Sequence, residues 1–217
     1  MVDFEALKQA VIEGDKETAL AITQQAIDEG ISPKEVFDKG LIPGMDVVGQ
    51  LMQAGEYFIP EVLFSARTMQ ACGDLLRPLI VKTGEAKPIG LAVACTVHGD
   101  LHDIGKNLVC MMLEGAGFKI VDLGPNTPAD KVVEAVKEHN ADLVLMSAML
   151  TTTMLYMRQV VKALEAAGLR DKVKIMVGGA PLDGKFAQEI GADAYCDDAA
   201  TAAEVARNFM LARNTAA

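Results

Sequence analysis

The stretch Ile89-Gly90-Leu91-Ala92-Val93-Ala94-Cys95-Thr96-Val97-His98-Gly99-Asp100-Leu101-His102-Asp103-Ile104-Gly105-Lys106-Asn107 decides the fold. The apolar run Ile89 to Cys95 reads as a buried strand, and a helix-like run continues from Asn107 to Leu113. Between them His102 follows Asp100 by two residues and precedes Gly105 by three. Ligands of open α/β sheets gather beyond the carboxyl ends of the strands, and a carboxylate beside an imidazole orients the ring for metal ligation. The loop therefore predicts a metal-binding site at the edge of a parallel sheet.

Downstream, strand-like and helix-like patterns alternate. Strands are expected at Ile89 to Cys95, Lys119 to Leu123, Leu143 to Ser147, Val173 to Val177 and Ala192 to Cys196. A helical segment follows each, a spacing that demands crossover connections and hence parallel strands. The expected fold class is α/β: a five-stranded, doubly wound, flavodoxin-like (Rossmann-like) domain over residues 89–217.

Upstream, residues 1–83 carry helical periodicity alone: Leu7, Val11 and Ile12; Ala19, Ile22, Ala26 and Ile27; Val36, Leu41, Met45 and Val48. Gly14-Asp15, Gly30-Ile31-Ser32-Pro33, and Gly55 with Pro60 punctuate four short helices, which predict a small bundle. The polar stretch Lys82 to Pro88 is the candidate linker, with residues 84–88 dividing the two domains.

Composition narrows the function. A formal net charge of −10 disfavours nucleic acid and anionic membranes as partners, since both reward clustered Lys and Arg. No apolar run approaches the roughly 18 residues of a spanning helix, and Met1 to Lys8 is not leader-like. The four cysteines, without Cys-x-x-Cys spacing, read as reduced thiols. A soluble, cytoplasmic protein is expected.

Two more loops at strand ends bear functional groups: Ser147-Ala148-Met149-Leu150-Thr151-Thr152-Thr153 and Gly178-Gly179-Ala180-Pro181. Glycine pairs let a bulky ligand approach the backbone, and hydroxyls supply short hydrogen bonds. Each feature alone has an ordinary structural reading as a turn, a cap or a surface pair. Their succession at strand ends describes a cleft.

Asp100, His102 and Gly105 match the Asp-x-His-x-x-Gly motif of cobalamin-binding proteins, Ser147 partly matches their Ser-x-Leu, and Gly178-Gly179 their Gly-Gly. The departure is Met149 in place of Leu, a swap of similar volume. Gly44 to Gly49 and Gly55 to Val62 resemble the helical cap of methionine synthase and of the corrinoid proteins of methylamine, methanol, betaine and methoxyaromatic methyl transfer. The chain thus resembles that family along nearly its whole length.

The resemblance implies cobalamin as cofactor and His102 as the lower axial ligand of cobalt, in place of the cofactor's own benzimidazole. It implies a proton relay of His102, Asp100 and Thr153 that takes up a proton when the cobalt is reduced, Thr153 standing at the solvent end where the family has serine. Leu101, Asp103, Ile104, Gly105, Ser147, Met149, Leu150, Thr151, Gly178, Gly179 and Tyr195 are the remaining expected cofactor contacts of the sheet domain, and Met52 and Ile59 are expected to cover the methyl group. His102→Ala is expected to weaken ligation with the fold intact, and Asp100→Asn to do less.

By the same resemblance the chain is a methyl carrier without catalytic residues of its own. Its implied partners are a donor-specific methyltransferase, a second methyltransferase acting on an acceptor such as tetrahydrofolate or coenzyme M, and a reductive activase. The competing readings are a divalent-metal hydrolase built on His98, Asp100, His102 and Asp103, and a B12-dependent sensor. The hydrolase runs short of ligands, since the remaining histidine, His139, sits in a charged segment; the sensor lacks chain for an output domain. Adenosylcobalamin mutases share the three loops but lack the helical cap.

Overall fold

The computed structural model describes residues 2–83 and 88–215 and resolves into two compact units, Met1–Pro88 with Glu114–Gly117 and Ile89–Leu113 with Phe118–Ala217. Of the expected linker 84–88, residues 84–87 lie outside the described residues.

The first unit is helical. α1 (Phe4–Glu13) starts at Asp3, whose carboxylate accepts from the Ala6 N–H, and ends at Gly14 in the left-handed conformation, φ +70°. Asp15 then caps α2 (Lys16–Asp28), and Ser32 caps α3 (Pro33–Val36) with Pro33 in its first turn. A π-helical turn, Phe37–Leu41, leads into α4 (Ile42–Gln53), and α5 (Ile59–Thr83) follows. Leu7, Val11, Val36, Leu41, Val48, Val62 and Leu76 are buried, while Ile22 and Ile27 are only partly so. Gly40 and Gly44 let α1 approach closely: a Cβ at either would lie 2.5 Å from Leu7 Cδ2 or 2.8 Å from Val11 Cβ. The helices are not uniformly short. α5 runs 25 residues with Pro78 inside it.

The second unit is a parallel sheet of β1 (Leu91–Thr96), β2 (Lys119–Asp122), β3 (Leu143–Ser147), β4 (Lys174–Gly178) and β5 (Ala194–Tyr195). Its order β2-β1-β3-β4-β5 is the flavodoxin-like one, whose direction of winding reverses between β1 and β3. Connecting helices are α6 (Ile104–Gly115), α7 (Ala129–His139), the short α8 (Thr151–Met154) with α9 (Met157–Ala166), α10 (Gly184–Ile190) and the terminal α11 (Ala199–Thr215). Val93, Cys95, Val144, Met146, Ile175 and Val177 alternate onto one face and bury Val132, Val136, Met157, Val160, Val161, Leu164 and Phe186 of α7, α9 and α10. Right-handed crossovers put α6 on the opposite face. The switch point opens beside the carboxyl ends of β1 and β3, where Thr96 pairs with Ser147 and Ser147 with Gly178.

Candidate functional site

β1 ends at Thr96, and its loop turns at Gly99, φ +85°, before α6 begins. α6 starts three residues before Asn107, because the Asn107 N–H donates to the Asp103 carbonyl at 2.8 Å. The Thr96 hydroxyl donates to the His102 carbonyl at 3.2 Å and ties the far end of the loop to the strand.

Asp100 is fully buried beneath this loop. Its Oδ1 accepts from the His102 N–H at 3.0 Å and lies 2.7 Å from His102 Nδ1. Its Oδ2 accepts from the Met149 N–H at 2.7 Å and from the Thr153 hydroxyl at 2.6 Å. Burial works to raise its pKa, but the bonds from Thr153, Met149 and His102 outweigh it and hold the carboxyl well below the usual carboxylate range. A carboxylate at Nδ1 fixes the proton there, so Nε2 is the ring's remaining ligating atom. The side chain of His102 is 57% exposed.

The structure brings Asp100, His102 and Thr153 together, but Thr153 is only 8% exposed. The hydroxyl end of this triad is therefore enclosed, where the sequence reading put it at solvent. The Thr153 hydroxyl also lies 3.1 Å from the Leu150 carbonyl, giving its one proton a second acceptor.

The other loops stand at the same sheet edge. Met149 and Leu150 are 51% and 43% exposed, and Thr151, also exposed, opens α8. Leu101 and Ile104 are 72% and 73% exposed, an unusual density of apolar side chains at solvent around one imidazole. A Cβ on Gly105 would meet nothing within 4 Å, so its bareness answers no need of the chain's own packing. Gly179 is the opposite case: φ is +127° and a Cβ would sit 1.9 Å from the Ala148 carbonyl oxygen. Gly178 ends β4 with room limited by the Cys196 carbonyl, 3.0 Å from its Cβ position. Tyr195 is half-buried in β5, its phenol pushed up to about 12 by its hydrogen bond with Asp197 and by burial. Asp103 is partly buried at the start of α6.

Met52 and Ile59 belong to the helical unit, near the end of α4 and at the start of α5. Met52 is partly buried and Ile59 is 47% exposed beside Phe58 at 66%.

Residues 90–207 match the B12 binding domain family, and residues 3–77 match a second B12 binding domain family. The chain belongs to the B12-binding corrinoid proteins. It is 42% identical over 212 residues to monomethylamine corrinoid protein 1 of Methanosarcina acetivorans, covering 95% of this chain and 97% of that one. It is 39% identical to dimethylamine corrinoid protein 2 of the same organism, covering 97% of each. Among solved structures it resembles the methanol:cobalamin methyltransferase complex MtaBC of Methanosarcina barkeri, at 30% identity, TM-score 0.84, and 95% and 78% coverage of the two chains.

The cofactor of this corrinoid protein is cobalamin or a related corrinoid, and the residues present suit such a group. An exposed imidazole backed by a buried carboxylate, open space at Gly105 and the exposed apolar side chains of Leu101, Ile104, Met149 and Leu150 meet the needs of a metal held in a large macrocycle. The hydrolase reading fares worse. The His98 ring packs against Tyr156, centroids 5.2 Å apart, and no group of three or more His, Cys, Asp or Glu suited to a metal ion occurs among the described residues.

The sequence reading missed the supports of this loop. Asn126, between β2 and α7, accepts from the Gly99 N–H at 2.8 Å, and Thr127 continues β1–β2 pairing by donating its N–H to the Thr96 carbonyl at 3.0 Å. Lys106, buried in α6, is paired with Asp122 at the end of β2. Gly124-Pro125-Asn126 is legible as turn chemistry, but its partner on β1 is not a sequence neighbour.

Proposed function

We propose that this corrinoid protein carries a methyl group from a donor-specific methyltransferase to a second methyltransferase, whose acceptor is a compound such as tetrahydrofolate or coenzyme M. A reductive activase completes the set of partners. Bound corrinoid supplies a cobalt centre that takes up and gives up the methyl group. The chain's own residues bind, orient and shield it.

The observation that carries the reading is His102, exposed at the β1–β3 switch point with its Nδ1 2.7 Å from a fully buried Asp100. In that tautomer Nε2 would be the atom that holds the cobalt of a bound corrinoid, and the carboxylate would strengthen it as a donor. Asp100 and Thr153 hold a proton within the triad as the electron demand on the imidazole changes, Asp100 remaining ionised. Gly105 and Gly178-Gly179 would give a nucleotide tail side-chain-free walls, with Ser147 and Thr151 as hydroxyl partners. Leu101, Ile104, Met149 and Leu150 offer the macrocycle its apolar bed. Residues 1–83 act as the cap, with Met52 and Ile59 shielding the methyl group. Donor choice is left to the partner enzyme, as relatives named for monomethylamine and dimethylamine are 42% and 39% identical to this chain.

The test is His102→Ala in the reconstituted chain, followed by EPR of the Co(II) form with ¹⁵N-histidine labelling. The parent is expected to show a protein nitrogen on cobalt, and the variant to lose it and to bind corrinoid more weakly. An unchanged spectrum removes His102 as the ligand. Transfer of methyl from a methylamine or methanol to an acceptor by the loaded chain, without a second protein, refutes the carrier role.

A further inference from the structure

We propose that Asn126 is a positioning residue for the histidine loop and thereby sets how well His102 ligates. The proposal rests on the reading of His102 as the axial ligand.

Asn126 holds two consecutive residues of that loop from an adjacent strand's connection. Its Oδ1 accepts from the Gly99 N–H at 2.8 Å, and its own N–H donates to the Asp100 carbonyl at 2.9 Å. Asp100 is the residue whose carboxylate meets both the His102 N–H and its ring. The grip is thus one peptide away from the group that fixes the imidazole tautomer. Gly99 turns with φ +85°, a conformation in which a glycine loses no steric energy but also has no side chain to anchor it. The hydrogen bond from its N–H to Asn126 Oδ1 supplies that anchor.

The backbone of Asn126 is itself specialised. Its φ of +53° lies in the left-handed region, which Asn, Asp and Gly tolerate better than other residues. Just beyond it, the Thr127 N–H bonds the Thr96 carbonyl, and Val97 and Thr127 form a parallel bridge. These bonds continue the β1–β2 ladder past its regular end and locate Asn126 against the turn. Partners one step behind a metal ligand commonly govern affinity by orienting it.

Two substitutions separate the side-chain bond from the backbone geometry. Asn126→Gly keeps the left-handed conformation and deletes the acceptor; Asn126→Asp keeps both. In the apo chain, ¹⁵N correlation spectra are expected to show a single Nδ1-protonated tautomer of His102 and a slowly exchanging Gly99 amide. Asn126→Gly should give mixed tautomers, faster Gly99 exchange and a corrinoid Kd about tenfold higher, at the low end of the range for outer partners. Asn126→Asp should restore all three. A parent-like tautomer, Gly99 exchange and Kd in Asn126→Gly overturn the proposal, as does failure of Asn126→Asp to restore them. If His102→Ala binds corrinoid like the parent, the ligand reading fails; the apo tautomer and exchange still decide whether Asn126 positions the loop.

Discussion

Asp100→Asn replaces a buried group that accepts four hydrogen bonds by one that accepts on a single oxygen. With the amide oxygen toward His102, the NH₂ faces the Met149 N–H, 2.7 Å from the present Oδ2, and the Thr153 hydroxyl, 2.6 Å away. The hydroxyl can turn to accept while donating to the Leu150 carbonyl at 3.1 Å, but the Met149 N–H cannot. With the amide reversed, the His102 N–H is stranded instead and the ring proton is driven to Nε2. Either way one part-buried amide loses its partner, at a cost of about 1–3 kcal/mol. Replacing charge-assisted bonds by neutral ones adds about 1 kcal/mol. The expected loss is about 3 kcal/mol in the sheet unit, read by native-state hydrogen exchange of β1 and β3 amides in the apo chain. The sequence alone makes this substitution milder than His102→Ala. That ranking concerns ligation; for stability Asp100→Asn is expected to cost more than His102→Ala, because Asp100 is fully buried whereas the His102 side chain is 57% exposed. A variant within about 0.5 kcal/mol of the parent, the scatter of ordinary surface substitutions, would refute the four-bond account.

Other outcomes follow from the glycines and the buried thiols. Gly105→Ala should leave the apo chain as stable as the parent, or up to about 1 kcal/mol more so, yet weaken corrinoid binding measured by titration; unchanged affinity would show that the open space at Gly105 does not serve the cofactor. Gly179→Ala should destabilise the apo sheet unit by about 3 kcal/mol through its φ of +127° and the clash with Ala148, checked by urea denaturation followed by circular dichroism. Burial pushes the Cys95 thiol up from 9.0 to about 12, so the folded chain keeps the proton that the unfolded chain releases. That contribution is complete below the unfolded value and is lost as pH rises toward 12, so Cys95→Ala should flatten the alkaline decline in stability. All four cysteines are buried, so Ellman's reagent should label the native chain only on unfolding.

The sequence by itself determined the classes of structure and the chemistry of the main loop. Strand β3 falls on Leu143–Ser147 as the apolar run predicts, and the spacing of strands and helices dictates crossovers and hence a parallel sheet. These features are local: hydrophobic period, glycine and proline punctuation, and residue types two or three positions apart. Asp100 and His102 are legible for that reason, being neighbours along the chain. Element ends were less legible. β5 is expected at Ala192 to Cys196 but pairs with β4 only over Ala194–Tyr195.

Only the tertiary structure decided what surrounds Asp100. Met149 and Thr153 are 49 and 53 residues away in sequence, and they meet the carboxylate because β1 and β3 are adjacent at the switch point. Asn126 reaches Gly99 because β2 lies on the other side of β1. The two glycine loops look alike as sequence, but Gly105 faces open space while Gly179 is required by the Ala148 carbonyl. Strand adjacency and the packing of one backbone against another are not properties of any local window, so the burial of Asp100, the enclosure of Thr153 and the separate roles of these glycines follow from the fold alone.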